Sequence, residues 1–165
     1  MKDGTRSDGE TGRQSLGKLS DVPAPCNALT EAVIGSAIEV HRHLGPGLLE
    51  RLYVEALCYE LREREIDHAC EVPVRVRYKG IDLSGQRLDL VVDHAVVVEA
   101  KAIERVHDVH LAQLVSYLRS GGYPVGLLIN FNVPVLKQGI YRRVNLNQSP
   151  RASAPFAFHP EGGAP

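Results

Sequence analysis

No run of about 18 apolar residues occurs in the 165-residue chain, so a membrane-spanning helix is not expected. The opening stretch, MKDGTRSDGETGRQSLGKLSDVPAP, lacks the apolar centre of a secretory leader. Neither charge sign dominates. Lys plus Arg number 19 and Asp plus Glu 20, a formal net charge of -1, so no basic excess advertises nucleic acid; a local patch is not excluded. Cysteine is scarce. Cys26, Cys58 and Cys70 form no CxxC pair and no zinc spacing, and an odd count suits a disulfide framework poorly. These features lead us to expect a reducing, cytoplasmic setting. No internal repeat is present, and Gly45-Pro46-Gly47 matches no phosphate-loop pattern. His107 and His110 lack an apparent third ligand, and His41 and His43 diverge on a helix.

What is present fits one domain of ordinary composition, 44% apolar and 24% charged. Residues 1–26 carry Gly, Ser, Asp and Arg without apolar periodicity and are expected to form a disordered tail. Residues 148–165, rich in Pro, Ala, Gly and Ser, are expected to form a second flexible tail. The folded domain is then 27–147. Val33, Ala37, Val40 and Leu44 lie on one helical stripe that Gly45 and Pro46 terminate. A second helix is expected over about Leu48 to Glu65, with Leu49, Leu52, Tyr53, Ala56, Leu57 and Leu61 recurring at the spacing of a buried face. Glu50 lies at the border of that face.

The period then shortens to two. Val72, Val74, Val76 and Tyr78 alternate with charged residues, as in a half-buried strand. Strands are expected over 87–92 and 95–101, and the valine run of the latter suits a strand covered on both faces. A helix over about His107 to Arg119, a strand over 125–131 and a short last strand over 139–144 complete the series. The fold class is α/β, with a mixed sheet flanked by helices.

The chemistry concentrates between Arg87 and Lys101. A turn centred near His94 sets Asp89 opposite Glu99 on the neighbouring strand, with Cβ atoms about 5 Å apart. Like charges at that distance repel, and one carboxyl tends to keep its proton. Lys101, two residues beyond Glu99, points to the same face. Two carboxylates and a lysine suit Mg²⁺ and its phosphoryl chemistry. An ordinary ion-pair cluster on an exposed face is the other meaning of the same residues.

Asp89 followed by Glu99-Ala100-Lys101 resembles the D…(D/E)-x-K signature of the PD-(D/E)XK nuclease superfamily. Gly47-Leu48-Leu49-Glu50-Arg51-Leu52-Tyr53 resembles the motif of its GxxExxY branch. Arg87-Leu88-Asp89, the helix around Ala112-Gln113-Leu114 with Tyr117-Leu118, and Gly126 to Phe131 extend the likeness over about 29–144. Leu88 stands where the superfamily name has proline. The resemblance implies a restriction-endonuclease-like core, a mixed four-stranded sheet in α-β-β-β-α-β order. It implies that Glu50, Asp89 and Glu99 hold Mg²⁺, with Mn²⁺ a possible substitute. It implies that Lys101 acts on the attacking water and that Gln113 joins the catalytic set, with Tyr117 one turn later. A metal-dependent nuclease acting on nucleic acid, DNA ahead of RNA, is the expected function; many nucleases of this type pair into homodimers, which leaves a homodimer open for this chain. The alternative is a binding module for nucleic acid or protein that retains the fold without catalysis. Each residue also has a plainer role: Glu50 favours a helix N-terminus, and Tyr53 and Tyr117 serve packing. Arg142, Arg143, Lys137 and Arg119 could border a phosphate-binding surface, although paired surface arginines are more often simply solvated.

Overall fold

Val33, Ala37 and Val40 form the buried stripe of the first helix, α1 (Ala24–Leu44). In the computed structural model, the described residues are 24–145. The expected tails, 1–26 and 148–165, lie outside them, except that residues 24–26 belong to α1. Gly45 and Gly47 follow, both with positive φ (65° and 100°), which the absence of a side chain permits. The second helix, α2 (Glu50–Glu63), begins two residues later than its periodicity suggests. It buries Tyr53, Leu57, Cys58 and Leu61.

Three strands follow: β1 (His68–Tyr78), β2 (Ile81–Val92) and β3 (Val96–Lys101). After α3 (Asp108–Gly121) come β4 (Val125–Asn130), a short 3-10 turn (Leu136–Gly139) and β5 (Ile140–Val144). The sheet order is β1-β2-β3-β4-β5. Only β3 and β4 are parallel, since α3 carries the chain across between them. The four strands of the expected core are therefore present, and the short last strand adds a fifth at the edge.

Two helical layers cover the sheet. On one face α1 and α2 meet Leu90, Val92, Val96, Val98, Ala100, Leu127 and Ile129. On the other, Leu114, Tyr117 and Leu118 of α3 meet Val74, Leu88, Val91, Val97 and Leu128. Every residue of β4 is buried, as are the first five of β3. Valine and leucine recur there without polar alternation because both faces are apolar; each such side chain contributes about 1.5–3 kcal/mol on burial. Gly126 brings α3 close: a Cβ there would stand 2.8 Å from Leu114 Cδ1. This is an α/β core with a mixed sheet between helices, the restriction-endonuclease-like arrangement.

Candidate active site

The turn from β2 to β3 sets the geometry. Asp93 and His94 take positive φ (45° and 53°), and the Ala95 N–H donates to the Val92 carbonyl at 3.0 Å. Leu90 then pairs with Val98, Val91 with Val97 and Val92 with Val96. Continuing that register sets Asp89 against Glu99, the relationship expected from a turn centred on His94. The ladder stops at Leu90 and Val98, and the Asp89 side chain takes over: its Oδ2 accepts the Ala100 N–H at 2.8 Å. Glu99 alternates with Val98 and Ala100, which face α1 and α2, so it shares the α3 side with Val97.

Lys101 joins the helix to the sheet. Its Nζ donates to Glu99 Oε1 at 2.8 Å and lies 3.8 Å from Glu50 Oε1. The Glu99 side chain is 7% exposed and that of Lys101 14%, against 41% for Glu50. Glu99 Oε2 is buried and has no hydrogen-bond partner. Burial pushes all three carboxyls, Glu50, Asp89 and Glu99, above their ordinary range. Lys101 lowers each in part, and the Ala100 N–H does the same for Asp89. For Lys101 burial acts downward, but the Glu99 hydrogen bond and the charges of Glu99, Glu50 and Asp89 outweigh it and raise the ammonium.

Tyr53 accounts for the position of Glu50. Its hydroxyl donates to the Gly45 carbonyl at 2.7 Å and accepts the Leu48 N–H at 3.0 Å. Its ring stacks on Phe131, 4.5 Å between centroids and 8° between planes. The tyrosine thus ties down the turn from which α2 starts, one helical turn before its own position, and Glu50 opens that helix. Its core role is borne out by complete burial.

Gln113 hydrogen-bonds Tyr117, whose hydroxyl is bonded in turn to Gln86: Gln113 Nε2 donates to the Tyr117 hydroxyl at 2.7 Å, and that hydroxyl donates to Gln86 Oε1 at 2.6 Å. Burial and the Glu99 charge raise the Tyr117 phenol against the opposing Gln113 bond. Gln86 was not singled out from the sequence; an exposed glutamine in a polar stretch carries no periodic signal. Asn130 was likewise legible only as part of a strand. It is 2% exposed, accepts the Ile103 N–H at 3.1 Å and donates to the Ile103 carbonyl at 2.8 Å. With the Phe131 N–H on the Lys101 carbonyl (2.7 Å), it fixes the chain as it leaves Lys101.

Hard oxygen donors, and a buried unpartnered Glu99 oxygen, fit a divalent cation in chemistry. The three carboxylates are not, however, all drawn within 4.8 Å of one another. Among the described residues that closeness belongs to a different group, Cys58, His68 and Cys70, which is capable of coordinating a metal. Cys58 and Cys70 are also joined as a disulfide, leaving Cys26 free; this corrects both the expectation that the cysteines offer no ligand set and the expectation that their odd count disfavours a disulfide. His107 and His110 cap α3 instead, the His107 N–H donating to His110 Nδ1 at 3.1 Å. His41 is buried against the Val133 carbonyl at 2.9 Å. Arg142 holds Asn27 of α1 at 2.6 Å. No helix among the described residues is long and apolar enough to cross a membrane.

A family profile described as the PD-(D/E)XK nuclease superfamily matches residues 27–144. Neither curated proteins nor solved structures give a match. The profile spans both helical layers and every strand, with Asp89, Glu99 and Lys101 inside it, so the chain belongs to the PD-(D/E)XK nuclease superfamily.

Proposed function

We propose that this protein is a metal-dependent nuclease of the GxxExxY branch, hydrolysing phosphodiester bonds of nucleic acid, DNA ahead of RNA. The observation that carries the reading is Lys101 between Glu99 and Glu50, with Asp89 set against Glu99 by the strand register. Asp89 and Glu99, with Glu50, would hold Mg²⁺ or Mn²⁺. Such a cation polarises a phosphoryl oxygen and makes a bound water more acidic.

The chain's own groups do the rest. The Lys101 ammonium orients the attacking water and offsets the negative charge that builds on phosphorus. The Ala100 N–H and Lys101 keep Asp89 and Glu99 in place before substrate arrives. Gln113 acts through Tyr117, which it hydrogen-bonds, and is a positioning residue.

The test is cleavage of plasmid, single-stranded DNA and RNA by purified protein with Mg²⁺ or Mn²⁺. Asp89→Ala and Glu99→Ala are expected to lower the rate by at least about 10²-fold, the size of a lost transition-state contact. Cleavage at the wild-type rate in both variants overturns the assignment. The carboxylate spacing favours one second reading, a module that binds nucleic acid without cutting it. Binding in Mg²⁺ that is equal in wild type and variants, without product, supports that reading instead. A homodimer would let two such sites address two strands, and sedimentation of the protein with and without duplex tests it.

A further inference from the structure

We propose a second metal site, separate from the carboxylates, in which Cys58, His68 and Cys70 bind a borderline-soft ion of the zinc class. Cys58 lies on α2, while His68 and Cys70 open β1. Residues two apart on a strand point to one face, so the imidazole and the Cys70 thiol address the helix together. One ligand atom from each of the three lies within 4.8 Å of the other two.

Three further observations favour a metal over other uses of these side chains. His68 Nδ1 lies 2.9 Å from the Ile66 carbonyl. A carbonyl only accepts, so Nδ1 carries the proton and Nε2 keeps its lone pair free for a metal. A backbone carbonyl fixing the ring in this way is the usual support of a metal-bound histidine. The second observation is distance. The structure joins Cys58 and Cys70 as a disulfide, yet across Cα atoms 7.3 Å apart, wider than the 4.4–6.8 Å usual for disulfides. Two thiolates on one tetrahedral zinc, each at about 2.3 Å, stand about 3.8 Å apart and suit the wider backbone separation. The third is access. Cys58 is 8% exposed, whereas His68 is half-buried and Cys70 open to solvent, so an ion can enter and a water can complete four ligands.

Thiolate and imidazole select zinc-like ions, whereas the carboxylates across the sheet select hard ones. A thiol reductant first opens the Cys58–Cys70 disulfide, supplying two electrons and two protons; on metal binding both thiols then release their protons to solvent, and the two thiolates balance the charge of the ion. The site pins the last turns of α2 to β1. That links the helix carrying Glu50 to the strand paired with the one carrying Asp89.

The experiment uses the full chain, reduced and stripped of metal, titrated with Co²⁺ as a spectroscopic probe and then with Zn²⁺. One equivalent of Co²⁺ is expected to give a sulfur-to-cobalt charge-transfer band and tetrahedral ligand-field bands, which Zn²⁺ abolishes. Cys70→Ser, at an exposed position that packing does not require, is expected to weaken the charge-transfer band and lower affinity at least about tenfold. His68→Ala is expected to lower affinity while keeping the sulfur band. Asp89→Ala is expected to leave the spectrum intact, which separates this site from the carboxylates. A reduced chain that gives no sulfur band overturns the proposal, as does a band unchanged by Cys70→Ser. Recovery of the pair only as a metal-free disulfide, with reductant present, overturns it too.

Discussion

Lys101 Nζ donates to one oxygen of Glu99 at 2.8 Å, while the other oxygen of the same carboxylate is buried without a partner. The lysine therefore satisfies half of Glu99. What remains is an acceptor in a place from which water is largely excluded, and leaving such a group unpaired costs about 1–3 kcal/mol. The cation of the proposed function would relieve that cost.

The first prediction concerns stability in the absence of divalent cations. Burial raises Glu99, Asp89 and Glu50. Between the ordinary carboxylate range and the raised values, the folded chain binds more protons than the unfolded one. Stability then falls as pH rises through that window and stays lower above it. Glu99→Gln removes one of these charges but keeps an oxygen for Lys101. The variant is expected to melt higher than wild type at neutral pH and to show a shallower decline, measured by thermal unfolding in chelator between about pH 4 and 8. A lower melting temperature at neutral pH means the ion pair with Lys101 outweighs burial.

Lys101→Met tests the opposite partner. It removes the cation between Glu99 and Glu50 and leaves their charges facing each other. Under the proposed function the ammonium serves the transition state, so turnover is expected to fall at least about 10²-fold with nucleic-acid affinity little changed. The cation-free variant is expected to be less stable than wild type at neutral pH and to regain stability as pH falls and the carboxylates protonate. Equal loss of affinity and turnover assigns Lys101 to substrate binding.

Tyr53→Phe tests why glycine, glutamate and tyrosine stand at their spacing. The ring and its stack on Phe131 remain, but the Gly45 carbonyl and the Leu48 N–H lose their shared partner. The expected cost is about 1–3 kcal/mol of stability. Glu50 moves with the loosened start of α2, so activity is expected to fall further than the stability loss explains. Activity equal to wild type in the folded variant confines the tyrosine to packing.

How much of this was legible in the sequence follows from the range of each interaction. Asp93 and His94 accept positive φ, and the valines on either side of them lock the register; both signals are local. The pairing of Leu90 with Val98, whose continuation sets Asp89 against Glu99, was therefore readable. So was the C-terminal stop of α3, where Gly122 takes a left-handed φ of 72°. The meeting of Cys58 with His68 and Cys70 was not. It depends on how α2 packs across β1, and the spacing of the three residues matches no short metal motif. Gln86 was hidden for a similar reason: its partner Tyr117 is 31 residues away, on the helix that follows β3. The start of α1 before Cys26 was misplaced because Pro and Ala in that stretch resemble a linker in composition.

The last prediction uses the contact that seats α3. At Gly126 a Cβ would stand 2.8 Å from Leu114 Cδ1, 3.0 Å from Leu114 Cγ and 3.1 Å from Leu118 Cδ2. Gly126→Ala overpacks this seam, at an expected cost of about 1–3 kcal/mol. Leu114→Ala alone opens a cavity and costs about 2–5 kcal/mol. In the double variant the new methyl occupies part of the space the leucine leaves. The two losses are therefore expected to be non-additive, the pair being more stable than the sum of the singles by at least about 0.5 kcal/mol in denaturant unfolding. Because α3 carries Gln113 and Tyr117, cleavage should track the same cycle: reduced in Gly126→Ala and partly restored in the double variant. Strict additivity would mean that α3 shifts freely on the sheet, and Gln113 would then have no fixed position from which to act.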